Sequence, residues 1–343
     1  MCINLCGAGT APVGADESPG LIRKAHRASF GMLWPSIQRC QGMVMSSVEG
    51  IVDQDVREGF AERKAQLVAR SGEWVAHNIV LPSGHTISSD VAGDHYRLRR
   101  ILQITVDCQP REFSELRVVD FGCHEGLYAI EFARQGATVV GIEGRRVHLD
   151  KAGFVKTELQ LSSLSFHHDD VRNFSRTAYG NFNVALCTGI LYHLEFEEGM
   201  RLLKEVCAAA EMVIVDTHIG LQPEQAALFE DREYWGHEYN EPAVNESELA
   251  DVLKNNGASI GNKTSFWLTR GSLFNALADF GCTSVFEVGC PMVPGQFFDR
   301  VTVVGKKGRP VEVMSAPREF ENSRPRHGST PCMDTAGQTV PNF

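Results

Sequence analysis

A chain of 343 residues with 43% hydrophobic and 22% charged side chains holds enough apolar material for one large α/β domain with appendages, or for two domains. Its formal net charge of -10 argues against holding nucleic acid through a broad basic surface, and no apolar run approaches the ~18 to 20 residues that cross a bilayer. The 10 cysteines are scattered without a CxxC pair, and the N-terminus lacks the charged-then-apolar order of a secretory signal, so a reduced, cytoplasmic setting is expected.

Residues 1–45 are rich in Gly, Ala, Pro and Ser without sustained periodicity, and disorder is expected there. Four basic residues (Arg23, Lys24, Arg27, Arg39) against Asp16 and Glu17 leave an organelle-targeting reading open, and a start at Met43 or Met45 is the plainer alternative. Residues 46–111 form an extension ahead of the core. Val52, Val56, Phe60 and Leu67 repeat at helical spacing and Gly72 closes the segment, which predicts an amphipathic helix. Trp74 to Leu81 alternates loosely before the Pro82-Ser-Gly84 turn. His77 and His85 are candidates to face a substrate, with a structural or solvent-facing role as the alternative. Arg97, Arg99 and Arg100 make a small basic cluster, read as a solvated helix face.

The organising stretch runs from Arg117 to Gly144. Val118 to Phe121 reads as a buried strand, Gly122 and Gly126 bracket a tight loop, Leu127, Ile130 and Ala133 recur at helical spacing, and Gly136 stops that helix. A second strand, Thr138 to Ile142, ends in Glu143. Strand, glycine loop, helix, strand and acid are the first half of a nucleotide-binding α/β sheet. A dinucleotide needs GxGxxG, so that bare amides can hold its pyrophosphate. This loop, Gly122-Cys-His-Glu-Gly126, lacks the middle glycine and carries Asp120 and Glu125, which repel phosphate. A dehydrogenase is therefore the least favoured reading. S-adenosylmethionine, with an ammonium and a sulfonium, reverses the sign of that argument, and Glu143 sits where a carboxylate accepts ribose hydroxyls.

Beyond this unit, Val147 to Leu161 predicts a helix, Leu164 to His167 a third strand ending in the run HHDD, and Phe182 to Cys187 a fourth strand leading into Thr188-Gly-Ile-Leu-Tyr-His-Leu194. The HHDD run invites a metal site, but neighbours on a strand point to opposite faces, so no metal is expected there. Chemistry in such folds sits outside the carboxyl ends of the strands. This marks His193 and Tyr192 as catalytic candidates, with a structural loop bond as the alternative for His193. Met200, Leu203 and Val206 stripe the next helix. Met212 to Val215 makes a fifth strand, and His218 just beyond it is a second candidate base. Residues 220–262 are long for a connection and read as an inserted substrate cover. Within it Asn245 is expected to cap a short helix ended by Gly257, and Trp235, His237 and Tyr239 either line the acceptor pocket or form an ordered surface or dimer contact. Thr269 caps a helix bearing Leu273, Leu277 and Phe280, and Ser284 to Val288 and Arg300 to Val304 are the last strands. A disordered tail is expected over 309–343.

The DFGCHEG run resembles the D-x-G-x-x-x-G loop of the class I S-adenosylmethionine-dependent methyltransferases, and ILYHL is a second matching signature. The likeness covers residues 112–308. Within the class, WVAHNIVLPSG, CTGILYHL and SFWLTRGSLFNALADFGCTSVFEV are most similar to the group that includes the wobble-uridine tRNA carboxymethyl-transferring enzymes and their uncharacterised relatives. The class implies a Rossmann-like, doubly wound, seven-stranded sheet whose last strand runs antiparallel, with the segment around Trp74–Leu81 as a strand or lid over the cofactor. It implies Asp120, Gly122, Cys123, His124, Glu125, Gly126, Glu143, Gly144, Asp170, Val171 and Thr188 as cofactor contacts. Asp170 would accept the adenine amino hydrogen, with Asp169 as fallback. Metal-dependent members place a carboxylate at the end of the fourth strand, and Cys187-Thr188-Gly189 offers none, so metal-free transfer to a small-molecule O or N acceptor is expected. Two alternatives stand beside it: a tRNA-modifying methyl or carboxymethyl transferase, disfavoured by the acidic balance, and a methyltransferase-shaped binding protein without catalysis.

Overall fold

A computed structural model describes residues 48–82, 84–88, 95–289, 298–311 and 314–315, with side chains from Gly59 onward except that of His95. The expectations for residues 1–45 and for most of 309–343 lie outside the described residues. The chain divides into two compact units at Asp55/Val56, and the second holds all the strands and every helix after α1.

The helices are α1 (Val48–Ser71), α2 (His95–Cys108), α3 (Leu127–Arg134), α4 (Arg146–Glu158), α5 (Arg176–Tyr179), α6 (Phe196–Ala209), α7 (Leu249–Lys254) and α8 (Arg270–Asp279). The strands are β1 (Arg117–Phe121), β2 (Thr138–Glu143), β3 (Leu164–His168), β4 (Phe182–Thr188), β5 (Ala210–His218), β6 (Gln225–Phe229), β7 (Arg232–Asn240), β8 (Thr264–Leu268), β9 (Ser284–Glu287) and β10 (Arg300–Lys306). A seven-stranded sheet runs in the order β3-β2-β1-β4-β5-β10-β9. β1 to β5 are parallel, and β10 is antiparallel to both β5 and β9. The order reverses between β1 and β4, which opens a crevice at their carboxyl ends.

The strands read as continuous apolar runs because both faces of the sheet are covered. Alternate residues serve opposite layers. Val118, Val184, Leu186, Met212 and Ile214 join Leu67, Trp74, Ile101 and Phe132 on one side. Val119, Ala185, Cys187, Val213 and Val215 join Leu203, Val206 and Leu273 on the other. Thr269 caps α8 as expected, its hydroxyl accepting from Ser272 N at 3.3 Å. β5 is longer than its apolar core predicts, because β4 and β10 pair along both of its edges.

Three regions depart from the sequence reading. The Trp74–Leu81 segment is irregular, with a single bridge between Val80 and Thr86. A second N-terminal helix, α2, carries the arginine cluster, and Arg97 and Arg100 turn toward the sheet: Arg97 Nε lies 3.2 Å from Asp216 and Arg100 donates to Thr302 Oγ1 at 2.8 Å. The inserted cover is built on β6 and β7, which with β8 make a separate three-stranded antiparallel sheet. Its short helix starts at Leu249 with Glu248 rather than Asn245 at the N-cap, the Asn245 Oδ1 instead accepts from Ser247 N, and the helix ends at Lys254, before Gly257.

Candidate active site

The loop after β1 is shaped by two glycines. Gly122 has φ +63°, and a Cβ there would stand 3.0 Å from Ile190 Cδ1. Gly126, at φ +87°, starts α3, and a Cβ there would press within 3.0 Å of Ala152 and Phe166. Between them His124 holds a left-handed φ of 52°, which a non-glycine residue adopts only when its surroundings enforce it. A cavity of about 300 Å³ opens above this loop, at the ends of β1, β2 and β4.

Of the expected cofactor contacts, Asp120, Gly122, Cys123, His124, Glu143, Gly144, Asp170, Val171 and Thr188 line this cavity together, as does His77. Asp120 is 1% exposed; its Oδ2 accepts from Ala129 N at 3.1 Å, while its buried Oδ1 has no hydrogen-bond partner among the described residues. Burial pushes its carboxyl up to about 8, with the Glu143 charge adding to the effect. Glu143 accepts from His124 N at 3.0 Å on one oxygen and from Arg145 N at 2.8 Å on the other. Each oxygen keeps a further acceptor site for a hydroxyl. Burial raises this carboxyl as well. Burial also works to raise Asp170, but hydrogen bonds from Arg172 outweigh it and hold the group below its ordinary value.

Glu125 and Gly126 stand apart from the cavity. The Glu125 side chain turns away from the crevice and is buried under the N-terminal segment. Its carboxylate accepts from Val75 N (2.9 Å), Ala76 N (3.1 Å), His77 N (2.9 Å) and Lys151 Nζ (3.1 Å). It fastens residues 75–77 to the core. Gly126 acts through packing, as its crowded Cβ position shows. Asp169, the fallback for Asp170, faces Tyr179 and Asn173 instead.

Four arginines also reach the cavity beside the acids: Arg97, expected on a solvated helix face, and Arg145, Arg172 and Arg300, none of them expected there. The crevice is thus not uniformly negative. Arg97 and Arg300 share the buried Asp216, at 3.2 and 2.7 Å from Oδ1. Arg145 is paired with Glu246 and Arg172 with Asp170. This mixture suits a zwitterionic ligand whose ammonium and carboxylate need opposite partners.

Metal-ligating geometry meets a competing use of the same atoms. His77, His124 and Glu125 bring ligand-type atoms within 4.8 Å of one another. The Glu125 lone pairs are taken by the four donors named above, His77 Nδ1 accepts from Leu127 N, and the Lys151 ammonium stands alongside. The HHDD residues diverge: His168 Nε2 bonds Gly144 O, Asp169 takes the Tyr179 hydroxyl, and Asp170 takes Arg172.

A second cavity, of about 330 Å³, shares Tyr192, His193, Gly257 and Ala258 with the first and adds His218, Tyr239, Glu241 and Trp267. The three catalytic candidates therefore converge. His193 and Tyr192 border both cavities, and their rings are 4.1 Å apart. His218 borders only the second; it stacks on Trp267 at 5.0 Å, has Asp299 Oδ2 at 3.1 Å from Nδ1, and has Arg300 Nη1 at 3.5 Å from Nε2. Burial, then the Arg300 charge, lowers its pKa. Of the expected cover aromatics only Tyr239 lines this cavity, stacked on Trp267 at 4.7 Å. His237 bonds Glu224, Trp235 bonds Glu233, and the exposed His85 borders neither cavity.

The inserted sheet also fixes the loop that carries these candidates. Trp267 Nε1 donates to Tyr192 O at 3.0 Å, Asn262 Nδ2 to His193 O at 3.0 Å, and Phe266 N to Leu194 O at 2.9 Å. Trp267 lies within the SFWLTRG run and Glu241 within the expected cover of residues 220–262, so both sat in view without a signal of direction.

Residues 118–211 match a family model described as a methyltransferase domain. Across 74% of this chain and 97% of the other, the structure superposes with a TM-score of 0.56 and 22% identity on the N-terminal domain of EvdMO1, crystallised in the presence of SAH and D-fucose. The fold is that of the class I methyltransferases. A curated relative, the O-antigen chain terminator bifunctional methyltransferase/kinase WbdD of Escherichia coli, is 24% identical over 126 residues. That match takes in 35% of this chain and spans only 16% of the relative's length. The antiparallel last strand and the helical N-terminal region conform to the class, and among the described residues no helix is long and apolar enough to cross a membrane.

Proposed function

We propose that this chain is an S-adenosylmethionine-dependent methyltransferase that methylates a hydroxyl or amine of a small-molecule acceptor, with His193 as general base. The observation that carries the reading is the junction of two cavities at Tyr192 and His193, one built on the Asp120–Glu143 loop and the other open beside it. The residues fit the cofactor. Asp120 offers a buried, unpartnered oxygen to an ammonium, Glu143 keeps acceptor capacity for ribose hydroxyls, and Asp170 with Val171 borders the cavity where adenine would lie. When bound, the cofactor supplies a methyl group activated by a sulfonium.

The protein's own work is placement and proton removal. Holding both reactants at the shared wall removes orientational freedom, which is worth several kcal/mol, up to about 7–11. A base within reach of the acceptor adds a factor of about 10² to 10⁴. His193 suits that role better than His218, because His218 has Arg300 beside Nε2. The acceptor we favour is a small hydroxylated molecule of the sugar class. The second cavity combines aromatic walls with carboxylate and imidazole acceptors, and the structurally similar EvdMO1 domain was crystallised with D-fucose present. The tRNA alternative finds no basic surface in Arg97 and Arg100, which turn to Asp216 and Thr302.

The test incubates the purified protein with methyl-labelled cofactor and either a fractionated small-molecule extract or total tRNA. Label is expected in the small-molecule fraction, and loss of that label with retained SAH binding is expected in His193→Ala. Label in tRNA alone, or in neither fraction, contradicts the proposal.

A further inference from the structure

Glu241 is the first residue after β7. Its side chain is 1% exposed, and its Oε1 lies 3.3 Å from His193 Nδ1. Its Oε2 accepts from Ser259 N at 3.2 Å, and its own backbone N donates to Lys263 O at 2.9 Å. One carboxylate oxygen is thus held by Ser259 N and the backbone by Lys263 O, which leaves the other oxygen to face the imidazole. Burial works to raise Glu241, yet hydrogen bonding, led by His193, holds it below its ordinary value, so it is ionised. An ionised carboxylate only accepts hydrogen bonds, and the contact therefore requires the proton on His193 Nδ1. The other nitrogen, Nε2, is then bare and able to take a proton.

We infer that Glu241 is the positioning residue of the site: the inserted sheet delivers a buried carboxylate that fixes the His193 tautomer with Nε2 as the acceptor. This deepens the proposed function and rests on His193 being the base there. It also gives the insertion a role beyond cover. β8 and Asn262 just before it hold the three carbonyls of Tyr192–Leu194, and Glu241 just after β7 faces the imidazole, so the sheet and its flanking residues locate both ring and backbone. A carboxylate on Nδ1–H also favours the imidazolium that forms when Nε2 takes a proton.

The test needs no acceptor. Protein labelled with ¹⁵N in histidine is examined by long-range ¹H–¹⁵N NMR at a pH where the His193 ring is neutral, with His193→Gln to assign its signals. Wild type is expected to show the Nδ1–H form as the major species. Glu241→Gln, whose amide can donate to Nδ1, is expected to raise the Nε2–H fraction several-fold while SAH affinity stays within about twofold. A wild-type ring protonated on Nε2, or one tautomer unchanged in Glu241→Gln, overturns the inference, and the wild-type spectrum decides even if the variant misfolds. Failure of the base reading looks different: His193→Ala would keep turnover while the wild-type tautomer stayed as described.

Discussion

Lys151 Nζ lies 3.1 Å from Glu125 Oε1, and both side chains are 0% exposed. Lys151 also donates to Glu73 O at 2.5 Å, so one buried pair ties α4, the cofactor loop and the lid segment together. Removing one member of a buried pair strands the other charge, at about 3–5 kcal/mol. Lys151→Met should therefore lower the unfolding free energy by about 3 kcal/mol, and Lys151→Met with Glu125→Gln should recover part of the loss. Denaturant titration of the three proteins checks this; a single variant with wild-type stability would contradict the tether.

Cofactor binding should depend on pH through Asp120. Its carboxyl, raised to about 8 by burial, is protonated in the free protein at neutral pH. Pairing with an ammonium favours the ionised form, so binding releases a proton and affinity rises with pH up to about 8, by at most about tenfold per unit. SAH calorimetry between pH 6.5 and 8.5 should show this rise, and Asp120→Asn should bind more weakly and without it.

Acid should destabilise the fold through two stacked histidines. The His124 and His148 rings lie 3.7 Å apart, and their nitrogens are buried without hydrogen-bond partners among the described residues. Burial lowers both, His148 to about 3, helped by the charges of neighbours including Lys151. Their folded values lie below the unfolded value near 6.5, so the unfolded chain takes up the protons first and stability falls as pH drops below about 6.5. The slope is at most about 1.4 kcal/mol per pH unit for each ring. His148→Phe should flatten the melting-temperature profile between pH 7 and 4.5; an unchanged slope would contradict the assignment.

The loop glycine should tolerate no side chain. At Gly122 a Cβ would meet Ile190 at 3.0 Å on a backbone of positive φ. Gly122→Ala is expected to cost about 1–3 kcal/mol in strain and overpacking and to weaken SAH binding, measured by melting and calorimetry. Affinity and melting temperature both at the wild-type value would contradict the shape assigned to this loop.

Much of the fold was legible in the sequence because fully buried strands and capped helices leave local signals. β1, the glycine loop, α3 and β2 announce themselves by apolar runs and glycine stops, and Thr269 marks the start of α8. The inserted sheet left little such signal. β6 (QAALF) buries only Phe229, and β7 finds its second partner in β8, beyond a long connection, so alternation along either strand is weak. Spacing also says nothing about direction. It placed Glu125 beside the cofactor, whereas its side chain turns to the lid, and it read Arg97 as solvated, whereas it meets Asp216. Glu241 and Arg300 reach the site from segments far along the chain, a relation that only the folded structure supplies.

The Asp120–Glu143 crevice is expected to take S-adenosylmethionine and its thioether product SAH, and not a dinucleotide. Titration calorimetry of the purified chain with SAH and, separately, with a nicotinamide dinucleotide tests it most directly. Saturable SAH binding that weakens at least tenfold in Asp120→Asn, with no heat from the dinucleotide, is the predicted result; tight dinucleotide binding with no response to SAH would contradict it.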